Sequence, residues 1–143
     1  MSIQIEWSAG YDRFPRLHWV LDEQAYEAFA RYGVLHELTA GEGVFEAGRP
    51  SPALYLVVHG EVKIHQGDEE IARVGPNHSF GEMGLLLDHP RSASASAATE
   101  SRVLELSRED LARMMEQEPI WAARLYRVLS ECLAEYLQKA AGS

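Results

Sequence analysis

The sequence predicts an α+β chain that is mainly β: an antiparallel β-roll or jelly-roll barrel with one short helix inserted, a helix before it and helices after it. Three observations predict this. Between Val34 and Leu106, short apolar runs are separated by Gly, Pro, Asn and Asp at close intervals, the pattern of short strands and tight turns. Inside that stretch, residues from Phe80 onward interrupt the β pattern with a glycine, a carboxylate and an apolar turn. After Leu106 the apolar spacing becomes helical.

The elements follow in order. Residues 1–21 form an N-terminal arm, in which Ile3, Ile5 and Trp7 alternate with polar residues and predict a short strand or docking segment. Tyr11, Phe14 and Trp19 follow in a turn-like context. The remaining residues, 22–143, are predicted to be one domain. Asp22 suits an N-cap, and a helix over 22–32 carries Ala25, Phe29 and Tyr32 at helical spacing before Gly33 stops it. A β-roll over 34–106 is then expected, with strands at about 34–38, 43–46, 53–58, 61–65, 70–74, 93–98 and 101–106. Gly60-Glu61 and Gly67-Asp68 are predicted hairpin turns. Short antiparallel strands of this kind close into a roll or barrel.

The C-terminal helices are predicted over 108–138. Ser107 with Asp110 resembles a capping box, and Leu111, Met114 and Met115 supply an apolar side. Pro119 suits the first turn of the last helix, which carries Trp121, Leu125, Val128, Leu129, Cys132, Leu133, Tyr136 and Leu137. That stripe is wider than one contact needs. Its excess is expected to face a partner chain or to close over a ligand. The closing Ala-Ala-Gly-Ser leads to the expectation that there is no helix-turn-helix or catalytic domain in this chain.

Composition narrows the function. The 143 residues suffice for one domain with a core, and 46% hydrophobic with 24% charged content is ordinary for a globular protein. A formal net charge of −9 argues against a basic nucleic-acid footprint and against binding to an anionic membrane. It also repels an anionic ligand, so affinity for one has to come from local donors. The single Cys132 excludes an internal disulfide framework and fits a reducing, cytoplasmic setting. No apolar run approaches membrane-spanning length, and the first residues are not a signal peptide.

The chemistry concentrates at Phe80 to Ala95. Gly81 offers a turn, Glu82 a carboxylate at a helix start, and Arg91 stands beside the hydroxyls of Ser92 and Ser94. A helix start presents backbone N–H groups to an anion. Arginine adds a permanently charged two-pronged donor for phosphate oxygens. An ionised Glu82 only accepts hydrogen bonds, so it suits sugar hydroxyls. An anion with an attached sugar fits this set.

This segment resembles the phosphate-binding cassette of the cyclic nucleotide-binding domain family, the domain of catabolite activator proteins, cyclic-nucleotide-dependent kinases and cyclic-nucleotide-gated channels. Phe80, Gly81, Glu82, Met83, Gly84, Leu85, Pro90, Arg91, Ser92, Ala93 and Ser94 match the family pattern in order and spacing. The stretches Gly41 to Gly48 and Leu54 to Val62 resemble the family's first strand with its turn and its Gly-acidic hairpin. The resemblance covers about residues 20–138. Arg49 departs from it, standing where the family commonly has an acid, and is read as a surface change. Ser92 replaces a frequent alanine.

The resemblance implies a binder of a cyclic mononucleotide, cAMP or cGMP, acting as a non-enzymatic second-messenger sensor without a cofactor. It implies that Arg91 and Ser92 hold the cyclic phosphate, that Glu82 holds the ribose 2′-hydroxyl, and that Gly81 lets the backbone approach the ligand. Ser94 is expected to touch phosphate or a syn guanine. Leu85 and Val74 line the base and sugar pocket or are ordinary core, with the two readings level. Met83 and Leu86 read as core. Tyr136 falls where an aromatic ring in the last helix stacks on the base or merely packs between helices. The implied partners are an unidentified protein effector and, through the C-terminal helix, a second copy, with no DNA binding by this chain alone and no membrane. The alternative is an interaction module of the same fold with no obligatory ligand. A β-barrel enzyme and a transcription-factor fragment are further classes that the residues do not motivate. The histidines do not suggest a metal: His59 and His65 are six apart and no His-X-His occurs.

Overall fold

The computed structural model describes residues 23–140; in the last helix the side chains are described as far as Arg127 and again at Leu129, Ser130 and Ala134. The expected arm at 1–21 and the expected cap at Asp22 lie outside the described residues.

Helix α1 (Glu23–Ala30) buries Ala25, Ala28 and Phe29 and ends in a turn, where Gly33 N–H reaches the Phe29 carbonyl at 3.0 Å. Eight strands follow: β1 (Val34–Leu38), β2 (Gly43–Phe45), β3 (Ala53–His59), β4 (Val62–Gln66), β5 (Glu69–Val74), β6 (Ser79–Phe80), β7 (Ser94–Ala97) and β8 (Ser101–Ser107). The short helix α2 (Glu82–Leu86) lies between β6 and β7. Helices α3 (Arg108–Gln117) and α4 (Pro119–Ala140) close the described chain.

The strands form two four-stranded antiparallel sheets, ordered β1-β8-β3-β6 and β2-β7-β4-β5. This is a roll of two open sheets rather than a closed barrel. The side-chain period of a strand is two, so successive residues serve opposite faces. In β3, Ala53, Tyr55 and Val57 face the interior between the sheets, while Leu54 and Leu56 face the helices. Its run Ala-Leu-Tyr-Leu-Val is therefore buried on both sides. A strand with only one covered face would alternate with polar residues.

The predicted strands correspond to β1–β5, β7 and β8 within a residue or two. Strand β6 was not predicted. Two residues are too few to show a period, and Ser79–Phe80 becomes a strand only by pairing with Tyr55 and Leu56. The capping box forms: Asp110 N–H donates to Ser107 Oγ at 3.1 Å and Ser107 N–H to Asp110 Oδ2 at 2.9 Å. Met115 corrects the predicted apolar side of α3, because it is 43% exposed while Leu111 and Met114 are buried. Those two meet Leu125 and Leu129 of α4 over the outer face of the first sheet.

Candidate functional site

The site begins at a backbone feature. Gly81 has φ +78°, in the left-handed region that a side chain disfavours, and it turns the chain from β6 into α2. Two residues into α2, Gly84 lies against the guanidinium of Arg91 so closely that an added Cβ would collide with its central carbon. Both glycines are set by close approach, one to a turn and one to a cation.

Arg91 is pinned by its own backbone. Its N–H donates to the Arg49 carbonyl at 3.0 Å, and its carbonyl accepts from Gly48 N–H at 2.8 Å. The Arg49 side chain points to solvent beside Glu46, in line with a surface change. The Arg91 side chain then runs inward and is only 7% exposed. Nη1 donates to the Gly81 carbonyl at 2.9 Å, and Nη2 donates to the carbonyls of Ser51 and Ala53, each at 2.7 Å. The guanidinium carbon stands 4.1 Å over the ring of Phe45. Phe45, Tyr55 and Phe80 form one aromatic group, with Tyr55 stacked on Phe80 at 5.3 Å. A cation over an aromatic face is favoured by the ring quadrupole, more so when water is excluded. The Tyr55 hydroxyl meets Ser51 Oγ at 2.9 Å, and burial pushes its pKa up.

A cavity of about 180 Å³ opens beside this group. Its wall includes Gly81, Met83, Gly84, Arg91, Ser92 and Ala93 of the cassette stretch. It also includes Phe45, Ile64, Leu87 and His89, which the sequence reading did not single out. Phe45 had one usable signal: it stands in β2, within the stretch that resembles the family's first strand. Ile64 and Leu87 carried none, since an aliphatic residue in a strand or at a helix end reads as core. Met83, expected in the core, is half-buried and lines the cavity.

Other expected residues lie elsewhere. Glu82 is 1% exposed, off the cavity wall, and its Oε1 accepts from Ser79 Oγ at 2.7 Å. Phe80 is fully buried in the aromatic group. Val74 packs between the sheets and Leu85 under the helices, and neither is on the cavity wall. Ser94 stands apart from the cavity wall. Its neighbours Ala93 and Ala95 face inward, so the strand period turns Ser94 outward, where its Oγ accepts from Ala47 N–H at 2.9 Å. It lines a broad outer groove with Lys63, His65 and Ser96 instead of the cavity. The Tyr136 side chain lies outside the described residues.

The arrangement can hold an anion at Arg91 and Ser92 and an apolar or aromatic body against Phe45, Ile64, Met83 and Leu87. Arg91 is the buried basic side chain among the described residues, in a chain whose net charge is −9. Local donors, not the overall field, therefore have to carry anion affinity.

Comparisons with known proteins bear on the family and the fold. A family model described as the cyclic nucleotide-binding domain matches residues 35–118. The cyclic AMP receptor protein of Thermus thermophilus is 39% identical over 100 residues, covering 66% of this chain and 46% of that protein. Glutaminase 2 of Bradyrhizobium diazoefficiens is 33% identical over 119 residues, covering 82% of this chain and 19% of that protein. The chain thus spans less than half the length of these curated relatives. A solved structure from a cyclic-GMP-dependent signalling pathway in bacterial phytopathogenesis superposes with a TM-score of 0.71 at 34% identity, covering 82% of this chain and 98% of that one.

Proposed function

The chain belongs to the cyclic nucleotide-binding domain family, and from that premise we propose that it binds a cyclic mononucleotide, cAMP or cGMP, as a second-messenger sensor rather than an enzyme. The observation that carries this reading is Arg91. It is buried over an aromatic group, it lines the cavity, and two glycines leave it room. A buried arginine beside a cavity is a ready partner for a compact anion, because a bidentate charge-assisted contact gains strength away from water.

In this proposal the cyclic phosphate meets Arg91 and Ser92, and the base lies against Phe45, Ile64 and Leu87. Glu82 exchanges its bond from Ser79 for the ribose 2′-hydroxyl. Arg91 trades part of its carbonyl cradle for phosphate oxygens. The trade gives the ligand a differential affinity for two positions of α2, which any ligand-driven shift requires. Helices α3 and α4 relay the shift to an effector or to a second copy, in a cytoplasmic setting. Relatives named for both cyclic AMP and cyclic GMP leave the base to measurement.

One observation favours the alternative, an interaction module with no obligatory ligand. The carbonyls of Gly81, Ser51 and Ala53 already engage both terminal nitrogens of Arg91. Calorimetric titration with cAMP and cGMP side by side, on wild type and Arg91→Ala, separates the two. Sensor function predicts binding that weakens by about 2–5 kcal/mol in the variant, as when one partner of a buried charged contact is removed. No heat at several temperatures and no thermal shift at saturating nucleotide would favour the interaction module.

A further inference from the structure

Arg108 is the first residue of α3, directly after the Ser107 cap. Its side chain turns back towards α2 instead of following its own helix. Nε donates to the Leu85 carbonyl at 2.8 Å, Nη2 to the Gly84 carbonyl at 3.3 Å, and Nη1 lies 3.5 Å from Asp88 Oδ1. The carbonyls at the end of a helix lack partners within it, so a cation from outside is a favoured cap. The backbone of Arg108 makes a second link: its N–H donates to the Pro52 carbonyl at 3.2 Å. Pro52 stands between Ser51 and Ala53, whose carbonyls hold Arg91. Gly84, on the other side, abuts the Arg91 guanidinium. Arg108 therefore grips both sides of the setting of Arg91, although the two arginines belong to different elements.

We propose that Arg108 is a positioning residue that carries the state of the nucleotide cavity into α3. The inference rests on the nucleotide-binding reading above. A movement of Arg91 towards a phosphate changes the space at Gly84, and the Arg108 fork passes that change to the first turn of α3. A planar fork spans two successive carbonyls and a carboxylate, which a lysine ammonium on its flexible stem does not reproduce. Because coupling is reciprocal, loosening this fork also alters nucleotide affinity.

The test is amide hydrogen exchange on the full chain, without nucleotide and with saturating cAMP or cGMP, whichever binds more tightly. Wild type is compared with Arg108→Gln and Arg108→Lys. The Arg108 side chain is 38% exposed and the Ser107–Asp110 cap is untouched, so both variants are expected to fold, with thermal midpoints as the check. Without nucleotide, residues 84–88 are expected to exchange about tenfold faster in Arg108→Gln, as for loss of a hydrogen bond to a charged group. With nucleotide, wild type changes its exchange over 108–117, and both variants bind but lose that change. Unaltered exchange at 84–88 in the ligand-free variant overturns the proposal. So does a wild-type response over 108–117 in both variants. A wild type that takes up neither nucleotide overturns the reading of the site instead, and that result comes from calorimetry rather than from exchange.

Discussion

The two faces of the first sheet are packed by different rules. Towards the helices, Leu54, Leu56, Leu104, Leu106, Leu111, Met114, Leu125 and Leu129 are almost fully buried. Towards the second sheet, the filling is valines, alanines and aromatic rings, with Arg91 and Glu82 buried at its margin. The helix face maximises aliphatic contact. The roll face gives up some of that contact for a charge and a cavity. A buried cation needs acceptors, and here backbone carbonyls supply three of them. Carbonyls belong to the backbone, so the side chains of Ser51 and Ala53 do not supply them. The chemistry of the roll face therefore hangs on a few residues: the arginine itself, and the glycines that leave it room.

That contrast can be tested by damaging each face separately. The largest effect is expected at Leu104→Ala, which opens a hole on the helix face. It should cost about 2–5 kcal/mol in denaturant unfolding. Nucleotide affinity of the folded protein should fall less than in the cavity variant Gly84→Ala, since Leu104 does not line the cavity. A large loss of affinity there would show that the two faces are not separable. Gly84→Ala attacks the other face. Its methyl must displace the Arg91 guanidinium from its carbonyl cradle, which should cost about 1–3 kcal/mol of stability as overpacking does. It should also weaken nucleotide binding in the same titrations, and by more than the aliphatic variant does.

A smaller effect belongs to the junction that holds the helices to one another. Glu118 is the single residue between α3 and α4 and accepts a two-pronged contact from Arg31 of the α1 turn, at 2.8 and 3.2 Å. Tyr32 adds its hydroxyl at 2.7 Å. The bonds from Arg31 and then Tyr32 hold the Glu118 carboxyl below its ordinary range. A lowered folded-state pKa means stability that is fully present above the unfolded value, about 4.3, and is lost as the pH falls through the folded one. Glu118→Gln should therefore lower the thermal midpoint at neutral pH, and the gap to wild type should close in acid. A gap independent of pH would assign the junction to packing rather than charge. The smallest effect is expected at Met115→Ser on the exposed side of α3, within about 0.5 kcal/mol.

Much of the fold was legible in the chain. Period-two runs and their Gly and Asn punctuation marked most strands, and the capping box at Ser107 marked the start of α3. Local chemistry decides such features, so local sequence reports them. Gly81, Gly84, Arg91, Ser92 and Ala93 of the candidate cavity wall were legible together, because they lie in one continuous stretch of sequence. The position of Ser94 was not legible, because the pleat of β7 turns its hydroxyl away from the cavity and no local pattern records that.

The alternation that builds the roll, the helix caps and the cassette arginine that suits an anion can be read along the chain, since these depend on neighbours a few residues apart. What surrounds that arginine is a matter of long-range packing. Phe45, Ser51, Ala53 and Tyr55 arrive from β2, the loop before β3 and β3 itself, some forty residues away, and Arg108 comes from the far side of β8. Sheet pairing brings these residues together. No local pattern of charge or hydrophobicity records which carbonyl will face which side chain once two sheets close.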